Sequence, residues 1–475
     1  MSVLFALIAI EMGGYAFWRH DAWGYVPDKW LDLRENLRWL APFLHMGLSG
    51  MPNPLAWVLS MGLLYYVALT FGLRFVSGTD LNRMLVAAFA FLAVINPAVV
   101  GQLGWPVHSF AALLLLSIGA WFTRRHESLV VMVVSTIIVS AVLQGVAFLA
   151  LFFAVPSFVS SRLLPVRRIM IRSICILLLW ALAVLVAYLL GRLSQLIAFG
   201  EMAPFPDWRL PNPARSAADL LRNFLVNVER FDGFMTRVYD MGEFWVLLAP
   251  VMVVAWASWR VNRSQSVAIV STALLAVFLA SAPYIFTIPI GTYIPERTNV
   301  GLGLAVMLLC LLLLVWVKEN AHEWSGVISA LILAAMIYHP FSTSYRNTAY
   351  FSQVTRDIVS SIEQLAQMSQ VLGPELIVIK AGSGELLWPV DYSTVLAGRP
   401  LMIEGFSEEQ RIARAFETVG YKEKLLWCTE ATRRHVNDAR CDDEADRIYV
   451  SCATANPAFC SAPYDRAKAF WYLRM

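Results

Sequence analysis

Tyr15-Ala16-Phe17-Trp18-Arg19-His20-Asp21-Ala22-Trp23-Gly24-Tyr25 closes the first apolar run of the chain. Residues 2–18 are long enough for a membrane helix, and the stretch that leaves them offers one carboxylate among aromatic side chains. Trp and Tyr gather where a bilayer meets water. The stretch therefore predicts a helix that ends at a membrane surface, with Asp21 at the mouth of a pocket enclosed by the rest of the chain. The run has neither the basic start nor the small-residue cleavage site of a secretory signal, so it is expected to remain as a span. Glu11 within it is costly in lipid and is expected to face protein.

Working outward, the whole chain of 475 residues has the same character: 58% is hydrophobic and only 15% charged, with a mean hydropathy of +0.60. That composition predicts an all-α polytopic membrane protein rather than a soluble domain. A net charge of +3 without a polybasic tract excludes a nucleic-acid partner. Apolar runs at 2–18, 54–76, 84–102, 106–122, 128–144, 146–163, 170–191, 244–260, 266–287, 299–317 and 325–340 give about eleven spans. Between the fifth and sixth only Gln144-Gly145 intervenes, so 128–163 reads as two spans or as one re-entrant element.

Charge in the short loops sets the orientation. With the N-terminus cytoplasmic, the inner loops hold Arg74, Arg83, Arg124, Arg125, Arg162, Arg167, Arg168, Arg172, Arg260, Arg263 and Lys318. The short outer loops hold almost no basic residue. This positive-inside asymmetry, with an odd number of spans, puts the C-terminal tail outside. Cys428, Cys441, Cys452 and Cys460 all lie in that tail, where an oxidising compartment would allow up to two disulfides in any of three pairings. A zinc site is the rival, although no CxxC pair is present. Cys175 and Cys310 lie in apolar runs and read as structural thiols.

Two domains are expected: a transmembrane part over 1–340 and a small α/β domain over 341–475, with short strands near 376–379 and 447–450. Two amphipathic helices, about 30–48 and 214–239, should lie along the outer membrane surface. In the first, Trp30, Leu33, Leu37, Leu40, Ala41 and Leu44 oppose Asp32, Arg34, Glu35 and Arg38. The second starts at a Ser216 cap with Asp219 three residues on, and carries Ala217, Leu220, Leu221, Phe224, Leu225, Val228 and Phe231 on one face.

No Gly-rich phosphate loop, HExxH or GxSxG is present. The chemistry-bearing residues left are those at the outer ends of spans: His20, Asp21, Asp28, His108, Tyr293, Glu296 and Arg297, with Arg38 in the first surface helix. A partly buried Asp21 could take a proton from a hydroxyl, or it could be a loop residue or helix cap. Arg297 could hold a phosphate oxygen in a bidentate pair, or pair with Glu296 and headgroups. His20 and His108 lack further ligands at metal spacing and read as cavity-lining residues.

His20-Asp21-Ala22-Trp23-Gly24, Asn36-Leu37-Arg38-Trp39-Leu40, Pro52-Asn53-Pro54, Asn96-Pro97, Ile294-Pro295-Glu296-Arg297 and the region 345–367 together resemble the bacterial and phage O-antigen glucosyltransferases of the Gtr type, membrane enzymes of the GT-C class. Where that family often has a paired acid, this chain has His20-Asp21, and in place of a Gly-Arg it has Asn36-Leu37-Arg38. The resemblance implies an inverting transferase of the bacterial inner membrane. It would move a hexose, with glucose the expected sugar, from a polyprenyl-phosphate donor to lipid-linked O-antigen or another surface glycan at the periplasmic face. It further implies Asp21 as general base, Arg297 on the donor phosphate and no metal cofactor. The competing classes are a lipid-linked glycan flippase or transporter, and an O-antigen polymerase.

Overall fold

The computed structural model of the chain describes residues 2–14, 30–48, 51, 53–96, 99, 103, 106–202, 213–237, 243–289, 291, 299–338, 376–380, 425–428, 447–451 and 464–465. The chain divides into two compact units, residues 1–14 with 25–348 and residues 15–24 with 349–475. The first unit is helical. In chain order it contains α1 (Ser2–Gly14), α2 (Leu31–Asn36), α3 (Ala41–Leu48), α4 (Asn53–Phe75), α5 (Arg83–Val94), α6 (Pro106–Phe122), α7 (Leu129–Ser140), α8 (Gln144–Ala147), α9 (Phe158–Arg162), α10 (Val166–Phe199), α11 (Ala217–Arg237), α12 (Glu243–Val261), α13 (Arg263–Thr287), α14 (Gly301–Asn320) and α15 (Ser325–Met336).

Among the described residues, 55–75 of α4, all of α10, 263–285 of α13 and all of α14 are long and apolar enough to cross a membrane. α5, α6, α7, α12 and α15 add shorter apolar pieces. α14 is the central helix: 89% of its apolar window is buried, against 28% for α10, which therefore presents most of its side chains outward. Glycines allow the central helix to approach its neighbours. A Cβ on Gly303 would collide with the Ala93 carbonyl of α5, and one on Gly301 with the Leu279 carbonyl of α13. On α10, Ile176, Trp180, Ala183, Ala187 and Gly191 face the protein while Ile174, Leu178, Leu182, Leu185, Leu189 and Leu193 face out. An outward stripe of Leu and Ile suits a helix solvated by lipid.

Three of these helices start at polar caps. Asn82 accepts from the Met84 N–H, Ser128 from Val131, and Asn262 from Ser264 and Gln265. α5 stops at Val94, short of the expected 102, because the Asn96 side chain takes the Val99 N–H while donating to the Ala93 carbonyl. α10 runs well past the expected 170–191 and ends at Gly200, whose φ of 75° is the left-handed conformation of a helix C-cap.

The segment 128–163 forms a hairpin. α7 leads outward, α8 turns, and a 3-10 helix over Phe148–Ala154 returns until the Ser128 N–H donates to the Phe153 carbonyl at 2.9 Å. Each limb rises only about 20 Å, less than a hydrocarbon core of about 30 Å. Its two ends lie at one level, so the sidedness of the later spans is unaffected. The first amphipathic segment differs too. The single helix expected over 30–48 is broken into α2 and α3 at Leu37, which has φ 59°. The neighbouring polar groups are drawn into the hairpin tip, as described below.

In the second unit the described residues form one four-stranded sheet of β1 (Leu376–Lys380), β2 (Leu425–Cys428), β3 (Arg447–Ser451) and β4 (Tyr464–Asp465), in the order β2-β1-β3-β4. β1 pairs parallel with β2 and antiparallel with β3, with Val378 opposite Leu426 and Tyr449. Cys441, Cys452 and Cys460 lie outside the described residues. Cys310 is buried in α14, whereas Cys175, read from sequence as a structural thiol, is exposed on the outward face of α10.

Candidate functional site

Polar side chains in the helical unit collect at its two ends, and the ends differ in chemistry. At the arginine-rich end, Arg74 closes α4. Its guanidinium donates to the carbonyls of Thr123 at 2.9 Å, Phe153 at 3.3 Å and Val155 at 3.0 Å, and also to Phe152. These carbonyls end α6 and the 3-10 helix, where the last turn leaves acceptors unsatisfied and a cation is favoured by the helix dipole. Arg172 at the start of α10 pairs with Glu127 at 2.6 Å, and Arg162 pairs with Glu319 at the end of α14. Burial pushes the Glu127 carboxyl up, but its own backbone amide, the Arg172 hydrogen bond and the charges of Arg172 and Arg74 outweigh that and hold it below the ordinary carboxylate range. Arg74, Arg162 and Arg172 are thus each held by carbonyls or a carboxylate of the protein and seal the helix ends here.

The other end is about 35 Å away, taking the rise along α10 from Arg172 to Gln195. Here Gln195 donates to the Leu33 and Arg34 carbonyls at 3.1 and 2.7 Å at the end of α2, where Leu33 also accepts the Leu37 N–H at 3.2 Å. Gly191 lies against the backbone of Leu37, where a Cβ would stand 2.9 Å from its carbonyl oxygen. The Arg38 Nε donates to Gln144 at 3.4 Å, Gln144 donates to the Asn36 carbonyl, and the Leu40 N–H donates to Ala141 at 3.1 Å. The turn between α2 and α3 thus grips the hairpin tip on one side and α10 on the other. These contacts explain the left-handed Leu37.

α11 docks at the same end by its polar face. Asn227 donates to the Tyr284 carbonyl at 3.0 Å and to the Thr287 hydroxyl at 3.3 Å, and Asn223 donates to the Ile288 carbonyl at 2.9 Å. Phe231 meets Tyr284 edge to face. The helix begins with a reciprocal cap: Ser216 donates to the Asp219 carboxylate and accepts the Asp219 N–H. The Ser216 hydrogen bond, with the Arg215 amide and the Arg222 charge, holds the Asp219 carboxyl low. Leu220, Leu221, Phe224, Leu225 and Val228 are exposed along the outer side. An apolar face turned away from the protein at the end of a span is the arrangement of a helix lying in a membrane surface.

At this end, too, lies Asn299, two residues before α14 begins. It is fully buried, and neither its amide oxygen nor its amide nitrogen has a hydrogen-bond partner among the described residues. A buried amide left unsatisfied costs about 1–3 kcal/mol, so native proteins rarely keep one without a use. Of the residues singled out from sequence, Arg38 is buried in the turn described above, and His108 is buried in the first turn of α6. Asp21, His20, Asp28, Tyr293, Glu296 and Arg297 lie outside the described residues. Sequence reading passed over Asn299, Gln144 and Gln195. The available signal for Asn299 was a lone amide between Arg297 and the long apolar run of α14.

No group of three or more His, Cys, Asp or Glu side chains suited to a metal ion occurs among the described residues. No family model, curated protein or solved structure matches the chain.

Proposed function

We propose that the chain is a membrane glycosyltransferase acting at the end of the helical unit that holds Asn299. The observation that carries this reading is the juxtaposition in sequence of Arg297 with Asn299, a buried amide at the start of the central helix whose hydrogen-bonding capacity is unused among the described residues. A phosphate or a sugar hydroxyl supplies the donors and acceptors such an amide lacks. The resemblance of the His20-Asp21 and Pro295-Glu296-Arg297 motifs to the Gtr-type enzymes supports the same reading.

In this proposal the expected spans cross the bacterial inner membrane, except that 128–163, counted as two of the eleven, enters as one short re-entrant hairpin. The N-terminus is cytoplasmic, and the C-terminal α/β domain and the Asn299 end are periplasmic. A polyprenyl-phosphate hexose, glucose by resemblance, is the donor, and lipid-linked O-antigen or another surface glycan is the acceptor. Asp21 takes the proton of the acceptor hydroxyl. That oxygen bonds to the anomeric carbon as the bond from this carbon to the phosphate oxygen breaks on the opposite face, which inverts the centre. The departing phosphate keeps the bonding electron pair, and Arg297 stabilises its charge through two parallel hydrogen bonds. One positioned guanidinium can do this without a metal.

The test is the mass of the surface glycan from cells with and without the gene. The proposal expects one added hexose per repeat with the wild-type chain and none with Asp21→Asn, while the variant still accumulates in the membrane. Arg297→Ala should lose donor turnover. An unchanged repeat mass with altered chain length would overturn the transferase in favour of a polymerase. Near-normal transfer by Asp21→Asn would remove Asp21 as the base.

A further inference from the structure

At the arginine-rich end a cavity of about 250 Å³ opens between α10 and α13, reaching the residues that follow the 3-10 helix. Its walls include Ile169, Met170, Ile174, Ala268, Leu274 and Leu275. Met170, Ile174 and Leu274 are about half exposed or more, so the cavity opens sideways on the outer surface of two candidate spans. Most of its wall is apolar, and of its four hydroxyl side chains, those of Ser161, Ser173, Ser271 and Thr272, two are turned back onto their own helices. Ser173 donates to the Ile169 carbonyl at 3.0 Å and Thr272 to Ala268 at 2.8 Å, each within its own helix. What they leave facing the cavity is hydrocarbon, and a cavity with such a wall fits an alkyl chain.

The rim carries the opposite chemistry. Arg172 lines the cavity, but Glu127 already neutralises it. Arg168 stands one turn before Arg172 on the same side of α10, with Arg167 beside it, and both are exposed. Neither has an ion-pair partner among the described residues. An apolar slot open on the outer surface, with Arg167 and Arg168 one helical turn before its lining residues Met170 and Arg172, matches a molecule with a hydrocarbon chain and an anionic head.

We infer that this cavity is a binding site for an anionic phospholipid, with one acyl chain between α10 and α13 and the phosphodiester at Arg167 and Arg168. Two guanidiniums at a bilayer surface favour an anionic over a zwitterionic headgroup by about fivefold each. The inference is independent of the proposed transferase.

The experiment uses the full-length protein equilibrated with vesicles of equal phosphatidylglycerol and phosphatidylcholine of matched acyl chains, followed by native mass spectrometry of retained lipid. Phosphatidylglycerol should be enriched about twentyfold in the retained fraction. The double variant Arg167→Gln, Arg168→Gln should lose that preference roughly twentyfold while still binding lipid. Ser271→Phe, which fills the cavity, should reduce retained lipid of both kinds. Equal retention of the two headgroups by the wild type would overturn the inference, as would an unchanged preference in the double variant. Displacement of phosphatidylglycerol by an equimolar amount of polyprenyl phosphate would also overturn it, by making the cavity a carrier-lipid site.

Discussion

Arg74 and Asn299 are both buried polar side chains at helix ends, but they sit at opposite ends of the helical unit and are treated in opposite ways. Four of the five Arg74 N–H donors are taken by backbone carbonyls, and its charge acts with Arg172 on Glu127. Asn299 has no hydrogen bond from either atom of its amide among the described residues. One end uses its polar groups to hold the fold together, while the other keeps one in reserve. On the proposed reading the difference separates architecture from function, since hydrogen-bonding capacity that the protein does not use itself is open to a ligand.

The comparison can be broken first at the sealed end. Arg74→Met should destabilise the protein by about 2–5 kcal/mol, because it leaves the buried Thr123 and Val155 carbonyls without a donor and takes a second donor from Phe152 and Phe153, which keep the Val155 and Ser128 N–H groups. Thermal unfolding in detergent measures this, and a loss below about 1 kcal/mol would mean that the carbonyls find other partners. At the opposite end the turn at Leu37 is held by close contact. Gly191→Val should cost about 1–3 kcal/mol through collision with the Leu37 backbone. Gln195→Leu should cost about 1–2 kcal/mol by taking the side-chain donors from Leu33 and Arg34. If both substitutions are silent, the α2–α3 turn is not anchored on α10.

The smallest effect is electrostatic. Since the folded environment lowers the Glu127 pKa, its contribution to stability is complete above the ordinary carboxylate value. It is lost as pH falls through the depressed one. The wild type should therefore lose stability on acidification below about pH 4.5 more steeply than Glu127→Gln does. Parallel pH profiles of the unfolding midpoint would remove Glu127 from the seal.

Much of this architecture is legible in the sequence, because lipid imposes long apolar helices and the chain obeys that constraint. The runs at 54–76, 106–122 and 266–287 lie within a few residues of α4, α6 and α13. The basic residues assigned to one side by loop charge include Arg74, Arg162 and Arg172, which the structure collects at one end. What sequence could not show is long-range hydrogen bonding. Arg74 reads as a loop charge until the carbonyls of Phe152 and Phe153, nearly eighty residues later, are brought to it. The hairpin is hidden because only Gln144-Gly145 interrupts the apolar run, and the return of Phe153 to Ser128 fixes its short reach. α11 keeps its expected amphipathicity, yet it docks by Asn223 and Asn227 and turns its apolar side outward. A helix at a membrane surface can solvate that side in lipid. Of the candidate site, Arg297 lies outside the described residues, and the state of Asn299 is visible only from burial.

The central claim, that Asn299 is reserved for a ligand, is tested most directly by Asn299→Leu, with unfolding midpoint and hexose transfer measured on the same preparation. The account predicts stability unchanged or raised by about 1 kcal/mol, because an unsatisfied buried amide is replaced by a side chain of similar volume, together with transfer lowered at least about tenfold. A destabilised protein that still transfers at the wild-type rate would contradict it.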